Sequence, residues 1–394
     1  VYWARIYRRD ESYSTHKLGA IGSNLAAVSL FFDKPFEVPA PELSERARAF
    51  VLGEAALYLS LYGRLAEALP ARRANLRMRE ELADWRNAAI SAGNLGESEL
   101  LLGEVAAAVG SAVRAVEHAD QSGDDPQKMI GRTQRGAAEH AAGRRDEAQA
   151  LFADAERRQQ ERQPDYPLLY SFRGYVYCDL LLDRGELPAV RERATQTRRW
   201  VTPHRFRRDI ALDELTLGRA ELGLALSGRG AADHADACRA ARAARDHLDH
   251  AAAGLRAIDS NHDLPHSLLA RAGLRCAFGG WDGAARDLDQ VEEIATPGPM
   301  LVYLCDRALE WARLALAQCE AFATLNGIVD GSPPKPEPPS AEERERLLGE
   351  ATQQIAIAVD YIKTCGYHRR DEELAELQAV LRGERSFASL PPRV

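Results

Sequence analysis

A short pattern returns six times along this chain, and its return constrains the fold more than any other feature. In the stretch 137–152, AAEHAAGRRDEAQALF, Gly143 stands seven positions after a small residue, Gly136, and five before another, Ala148. The same offsets recur as Ala56/Gly63/Ala68, Gly96/Gly103/Ala108, Cys178/Gly185/Val190, Gly223/Gly230/Ala235 and Gly273/Gly280/Ala285. A turn glycine ends a helix in the left-handed conformation at no Cβ cost. Small residues flank it because two antiparallel helices cross close to a tight turn only where no large side chain holds the backbones apart. A hairpin so built cannot bury its apolar face alone, so successive hairpins must stack into a solenoid.

This pattern resembles the tetratricopeptide (TPR) family, most closely at Leu95 with Gly96 and at Ala148 with Phe152. The turn glycines are separated by 40, 40, 42, 45 and 50 residues, against a family period of about 34. The excess lengthens each pair by roughly one and a half helical turns or more. The expected fold is therefore all-α: a right-handed, TPR-like superhelical solenoid of about seven helix pairs with a C-terminal capping helix.

Composition agrees with close-packed helices, being 45% hydrophobic but only 7% aromatic. A net charge of −8 supplies no global field for nucleic acid or an anionic membrane surface. No apolar run reaches membrane-spanning length and no basic-then-apolar leader opens the chain. The first residue is Val1 rather than Met, which reads as a piece of something longer. Cys178, Cys238, Cys276, Cys305, Cys319 and Cys365 are far apart and mostly fall on apolar helical faces, the usage of reduced core thiols in a cytoplasmic protein.

Four segments follow in order. Residues 1–41 hold an amphipathic helix with Leu18, Ile21, Leu25, Val28 and Phe32 on one stripe. That stripe either packs on the first repeat as a cap or, with Tyr2, Trp3 and Tyr7, docks onto an upstream domain. Pro35, Pro39 and Pro41 exclude helix and make a short stiff connector behind it. The solenoid occupies 42–325, with helices predicted at 44–62 and 65–82, 84–102 and 104–121, 126–142 and 145–161, 166–184 and 186–200, 206–227 and 231–258, 264–278 and 281–294, and 300–325. Residues 326–340 interrupt the seventh pair with GSPPKPEPPS, an extended, mobile composition. In 341–394 a capping box of Ser340 and Glu343 restarts helix to about residue 363, a charged helix at 371–381 reads as a polar end cap, and the tail SFASLPPRV reads as frayed.

No catalytic motif is present: there is no GxxxxGK[ST] loop, no glycine-rich strand-to-helix turn, no HExxH and no paired CxxC. No enzyme, cofactor or metal site is expected. Histidines gather between His234 and His266, but Cys238 and His247, nine residues apart on one helix, lie roughly 13 Å apart and cannot share an ion. His247, His250, His262 and His266 converge only if the turn after Ile258 folds them together. Arg198, Arg199, His204, Arg205, Arg207 and Arg208, interleaved with Trp200 and Phe206, form the one dense basic patch. It has two readings: an anion or single-strand site, or guanidinium groups neutralising nearby carboxylates and helix C-termini. The segment 165–182, DYPLLYSFRGYVYCDLLL, is rich in aromatics; Tyr170 and Tyr177 are assigned to core and Tyr175 to a groove. In TPR proteins the first helix of each pair lines the concave groove. By that resemblance Phe172, Tyr175, Asp179 and Leu182 face it, beside Ile130, Thr133, Ala137 and His140. Such a wall suits a peptide or a partner's helix.

Two segments, WRNAAISAGNLGESELLLGEVAAAV (85–109) and YPLLYSFRGYVYCDLLL (166–182), carry a closer resemblance. They are similar to the C-terminal TPR array of bacterial STAND NTPases, multidomain switch ATPases related to NLR-type immune receptors. The likeness runs from about residue 17 to 185 and fades afterwards. It implies a sensor or oligomerisation arm that binds a protein or peptide in its groove and regulates an upstream nucleotide-binding domain of the same parent chain. No ATP site carries over onto these residues.

Overall fold

The computed structural model describes residues 21–227, 234–323, 325 and 337–390. Tyr2, Trp3, Tyr7, Leu18, the turn containing Gly230, most of the proline-rich segment and residues 391–394 lie outside the described residues. Helix α1 (Ile21–Ser29) precedes the hairpins α2 (Glu45–Leu61) with α3 (Leu65–Glu81), α4 (Trp85–Leu101) with α5 (Val105–Ser122), α6 (Asp125–Ala141) with α7 (Arg145–Arg162) and α8 (Ser171–Asp183) with α9 (Leu187–Val201). Then come α10 (Arg207–Ser227) with α11 (His234–Arg256), α12 (Leu264–Phe278) with α13 (Trp281–Ala295), α14 (Leu301–Cys319) with α15 (Ala341–Cys365), and α16 (Asp371–Leu381). Each helix packs on its sequence neighbours, and the first helices of successive pairs, from α4 through α14, also touch one another. The molecule is an all-α solenoid with the first helices as its inner layer. Among the described residues no helix is long and apolar enough to cross a membrane.

The tight crossings arise as the small residues require. Gly63, Gly103, Gly143 and Gly185 hold φ of +74°, +81°, +80° and +76°. Ala68, Ala108 and Ala148 are fully buried behind them. A Cβ on Gly96 would stand 3.1 Å from the Ala108 carbonyl, and one on Gly136 would stand 3.1 Å from the Phe152 ring, tighter than ordinary contact, so each crossing favours hydrogen there. Gly223 is equally close to the Leu187 side chain, where α10 crosses α9. The sixth hairpin corrects the register by one residue. Its left-handed glycine is Gly279 (φ +82°), whereas Gly280 has φ −83° and caps α13. The offsets survive as Ala272/Gly279/Ala284, with Ala272 and Ala284 buried, while Gly273 faces Glu310 of α14 instead of its hairpin partner.

Other boundaries differ from expectation for local reasons. The proline connector folds back as an antiparallel ribbon, β1 (Phe32–Lys34) with β2 (Val38–Pro39), and Phe32 joins Leu25 and Val28 against the first hairpin, so α1 acts as a cap. Helix α8 starts at Ser171, five residues late. Gln159 Nε2 donates to the Tyr166 carbonyl at 2.8 Å and Glu156 accepts from the Leu169 amide at 2.9 Å, which holds the preceding segment as a loop. Helix α14 stops at Cys319, where Ala321 takes φ +49°. The Ser340 hydroxyl accepts from the Glu343 amide at 3.1 Å, but the Glu343 carboxylate turns to Arg346, so half of the capping box forms.

The C-terminal end departs furthest from expectation. Helix α16 caps this end with Asp371 and Glu372 exposed, and it is tied in more firmly than a polar end helix requires: Leu377 and Val380 are buried, and Glu373 is bound by Arg313 at 2.7 Å. The tail is not frayed as far as Leu390, since Phe387 packs on Phe322 and its amide donates to Glu320 at 2.7 Å. More important, this end returns to the beginning. Gly63 abuts Gly298 and Met300, Gly103 abuts Leu301 and Cys365, and Gly143 abuts His368, so the turns of three successive hairpins rest on the C-terminal arm. One continuous apolar cluster runs from Leu65, Leu95 and Val105 to Tyr303, Ile355 and Leu390. The groove expected of a solenoid is thereby narrowed to a central cavity that stays partly open to solvent.

Candidate ligand cavity

The inner faces of α4, α6 and α8 form one wall of this cavity, and α14 with the segment 367–369 forms the other. Its volume is about 370 Å³, partly open to solvent. Its floor is built from Gly93, Gly96, Ala108, Ala112, Ala137 and Ala138. The small residues that let helices cross are thus also what leaves the interior hollow. Larger groups line the sides: Phe172, Tyr175 and Tyr303 with His266 between the two tyrosines, its ring edge-on to Tyr175 at 5.6 Å and to Tyr303 at 4.7 Å. Burial pushes the His266 imidazole down to about 4, so it is neutral at physiological pH.

Ile130, Thr133, His140, Phe172, Tyr175 and Asp179 all line this one cavity. Leu182 does not; it is buried in the apolar cluster around Phe152 and Leu187. The inward stripe of α8 continues from Asp179 by four residues to Asp183, and that carboxylate takes the place assigned to Leu182. Tyr177 is buried, its ring stacked on Phe152 at 4.9 Å. Tyr170, assigned to core, is only half-buried and packs on Tyr166 and Trp200 near the surface. Tyr175 is 5% exposed and its hydroxyl, at the cavity, has no hydrogen-bond partner.

Charge is concentrated at one end. Asp179 receives Arg369 Nη1 at 2.6 Å and Arg219 Nη1 at 2.8 Å, while Asp183 receives Arg369 Nη2 at 2.9 Å and His140 Nε2 at 2.8 Å. Burial alone would raise both carboxyls, but the facing guanidinium of Arg369 holds both well below the usual range, with Arg219 assisting at Asp179 and His140 at Asp183. Behind them Arg370 binds Asp306 at 2.8 Å and Glu373 at 3.3 Å. Sequence reading missed Arg369, Arg370 and Asp183. A doubled arginine before a charged helix looks like surface, and only its distant partners make it interior.

The basic patch is divided. Arg208 turns inward to Asp263, at 2.7 and 2.9 Å, and lies 5.0 Å over the Phe172 ring at the cavity wall. Arg198 pairs with Glu214 at 2.9 Å, whereas Arg199, Arg205 and Arg207 are exposed. Of the histidines, His247 bonds Glu214, His262 sits beside Arg208 and His266 is between the tyrosines, so they do not converge. Among the described residues no group of three or more His, Cys, Asp or Glu is placed to hold a metal ion. Cys178, Cys276, Cys305, Cys319 and Cys365 are buried free thiols, and burial raises Cys178 to about 11.

No family model matches the sequence, and no curated protein matches it. Among solved structures, the chain is similar to a Rap protein whose crystal structure is titled as complexed with competence and sporulation factor. The TM-score is 0.37 and the identity 11%, over 87% of this chain and 78% of that one, too low to transfer any property.

Proposed function

We propose that this solenoid is a non-catalytic receptor for a short peptide or an extended segment of a partner protein, taken up in the central cavity. The observation that carries the reading is the partly open central cavity of about 370 Å³, walled by aromatic rings and floored by glycine and alanine, with the buried Tyr175 hydroxyl left unpartnered. Pockets of this size and lining hold ligands by apolar contact, with a few polar groups fixing orientation. A short extended segment suits a cavity of this size and lining. Within a parent chain of the STAND kind, the array would serve as sensor and regulatory arm, the ligand altering contacts with an upstream switch domain.

The test is affinity selection from a library of short peptides, read by mass spectrometry, with wild type and Ala137→Phe compared. Ala137 faces the cavity beside Gly136, and a phenyl ring there fills the space while leaving the hairpin crossing untouched. Peptides retained by wild type and lost by the variant support the reading. Equal retention by both, or loss only on Arg205→Ala with Arg207→Ala, overturns it. For the regulatory arm, unchanged resting ATPase activity and oligomeric state of a parent lacking the array would count against that role.

A further inference from the structure

The cavity already contains a side chain seated as a ligand's would be. Arg369 comes from a 3-10 turn, His368–Arg370, that follows α15 and its left-handed Gly366. Its neighbour Arg370 holds that turn to its own arm through Asp306 and Glu373. Arg369 points the other way, to helix α8 about 190 residues earlier, where Nη1 donates to Asp179 at 2.6 Å while Nη2 faces Asp183 at 2.9 Å as an ion pair without hydrogen-bond geometry. Beside the turn, Glu372 of α16 makes a weaker, exposed pair with Arg145 of the early hairpins at 3.2 Å.

Arg369 is also a partition. A second, smaller and more polar cavity of about 80 Å³ lies on its far side, and the two cavities share Asp179, His266 and Arg369 in their walls. Withdrawing this side chain would remove one of their three shared wall residues and leave Asp179 and Asp183 without the guanidinium that now faces both. An ammonium group, a more strongly hydrated point charge, lacks the pair of coplanar nitrogens that now faces these two carboxylates. Next to this site stands the unpartnered Tyr175 hydroxyl, a hydrogen-bonding group that the chain's own residues leave unused.

Building on the peptide-receptor reading, we propose that Asp179, Asp183 and His140 form a guanidinium subsite that the chain fills with its own Arg369, and that an arginine-bearing peptide displaces it. Displacement frees the turn 368–370 from α6 and α8 and loosens the closure between the C-terminal arm and the first hairpins. Ligand capture and opening of the ring are then one event, because both use the same carboxylates.

The test uses the full chain with ethylguanidinium as probe and ethylammonium as control. Arg369→Ala should bind ethylguanidinium at least tenfold tighter than wild type does, and tenfold tighter than it binds ethylammonium. In wild type, ethylguanidinium but not ethylammonium should accelerate hydrogen exchange across residues 366–373. A folded Arg369→Ala that binds the two probes alike overturns the subsite. So does unchanged exchange at 366–373 in wild type under saturating ethylguanidinium, a measurement that needs no variant. Ethylguanidinium captured by Arg369→Ala while no library peptide is retained by wild type would sink the peptide-receptor reading and leave the subsite standing.

Discussion

The early hairpins and the C-terminal arm are held by different physics. From α4 to α7 the hairpins repeat close apolar crossings at Gly96 and Gly136, 40 residues apart, tied by local polar pairs such as Ser111 on Glu99 at 2.6 Å. From α14 to α16 the contacts that matter are directional: Arg313 with Glu373, Arg370 with Asp306, and Arg369 reaching across to Asp179 and Asp183. The first kind has one solution, since close packing tolerates little displacement. The second can exchange partners, because a carboxylate accepts any suitably shaped cation. A rigid wall is thus opposed by a wall that can let go, which is the combination a receptor needs.

The comparison can be broken or sharpened by measurement. The largest effect is expected for Phe152→Ala in the early half. Phe152 is fully buried, lies over Gly136 and stacks on Tyr177, so its loss should cost about 4 kcal/mol in urea unfolding. A cost below about 1 kcal/mol would mean that the crossings collapse easily and the wall is not rigid. In the arm, Arg313→Ala should cost about 3 kcal/mol by taking from buried Glu373 its 2.7 Å partner. Arg313→Met with Glu373→Leu should restore most of that loss; if the double variant is as unstable as the single one, the arm is held by packing and not by charge.

A third effect is the pH dependence of the arm. The Glu310 carboxyl faces the smaller cavity, and burial pushes it up to about 7 from an ordinary 4.5. The folded state therefore keeps a proton that the unfolded state has lost. The associated stability is fully present below about pH 4.5 and is lost as pH rises toward 7. Glu310→Gln should flatten this slope by on the order of 1–2 kcal/mol in thermal unfolding followed from pH 4 to 8. An unchanged slope would place the titration elsewhere. The smallest effects are at helical glycines with open space around them, Gly110 in α5 and Gly349 in α15. Either one changed to Ala should stabilise by about 0.5–1 kcal/mol through helix propensity. Destabilisation at Gly110 would show that the convex surface of the early half is a contact face.

The hairpins were legible because their causes are local. Gly143 and Ala148 declare a turn and a crossing within five residues of each other, and nothing distant is needed to interpret them. Even the misplaced sixth turn failed by one residue, since Gly279 and Gly280 are adjacent and periodicity alone cannot choose between them. The inward stripe of α8 was readable as far as Asp179 for the same reason. Leu182 and Asp183 were exchanged because apolar residues line both the core and the groove, so hydrophobicity could not say which face was which.

By itself, then, the sequence determined the helices, their pairing and the inward-facing residues of the early hairpins, all of which depend on spacings within a few turns of helix. The tertiary structure alone decided that the solenoid closes. Closure depends on contacts of three early turns with the C-terminal arm, and on an ionic contact between residues 190 apart in the chain. Neither leaves a mark in any short window of sequence, because an arginine destined for the interior and one destined for solvent read the same until their partners are in place.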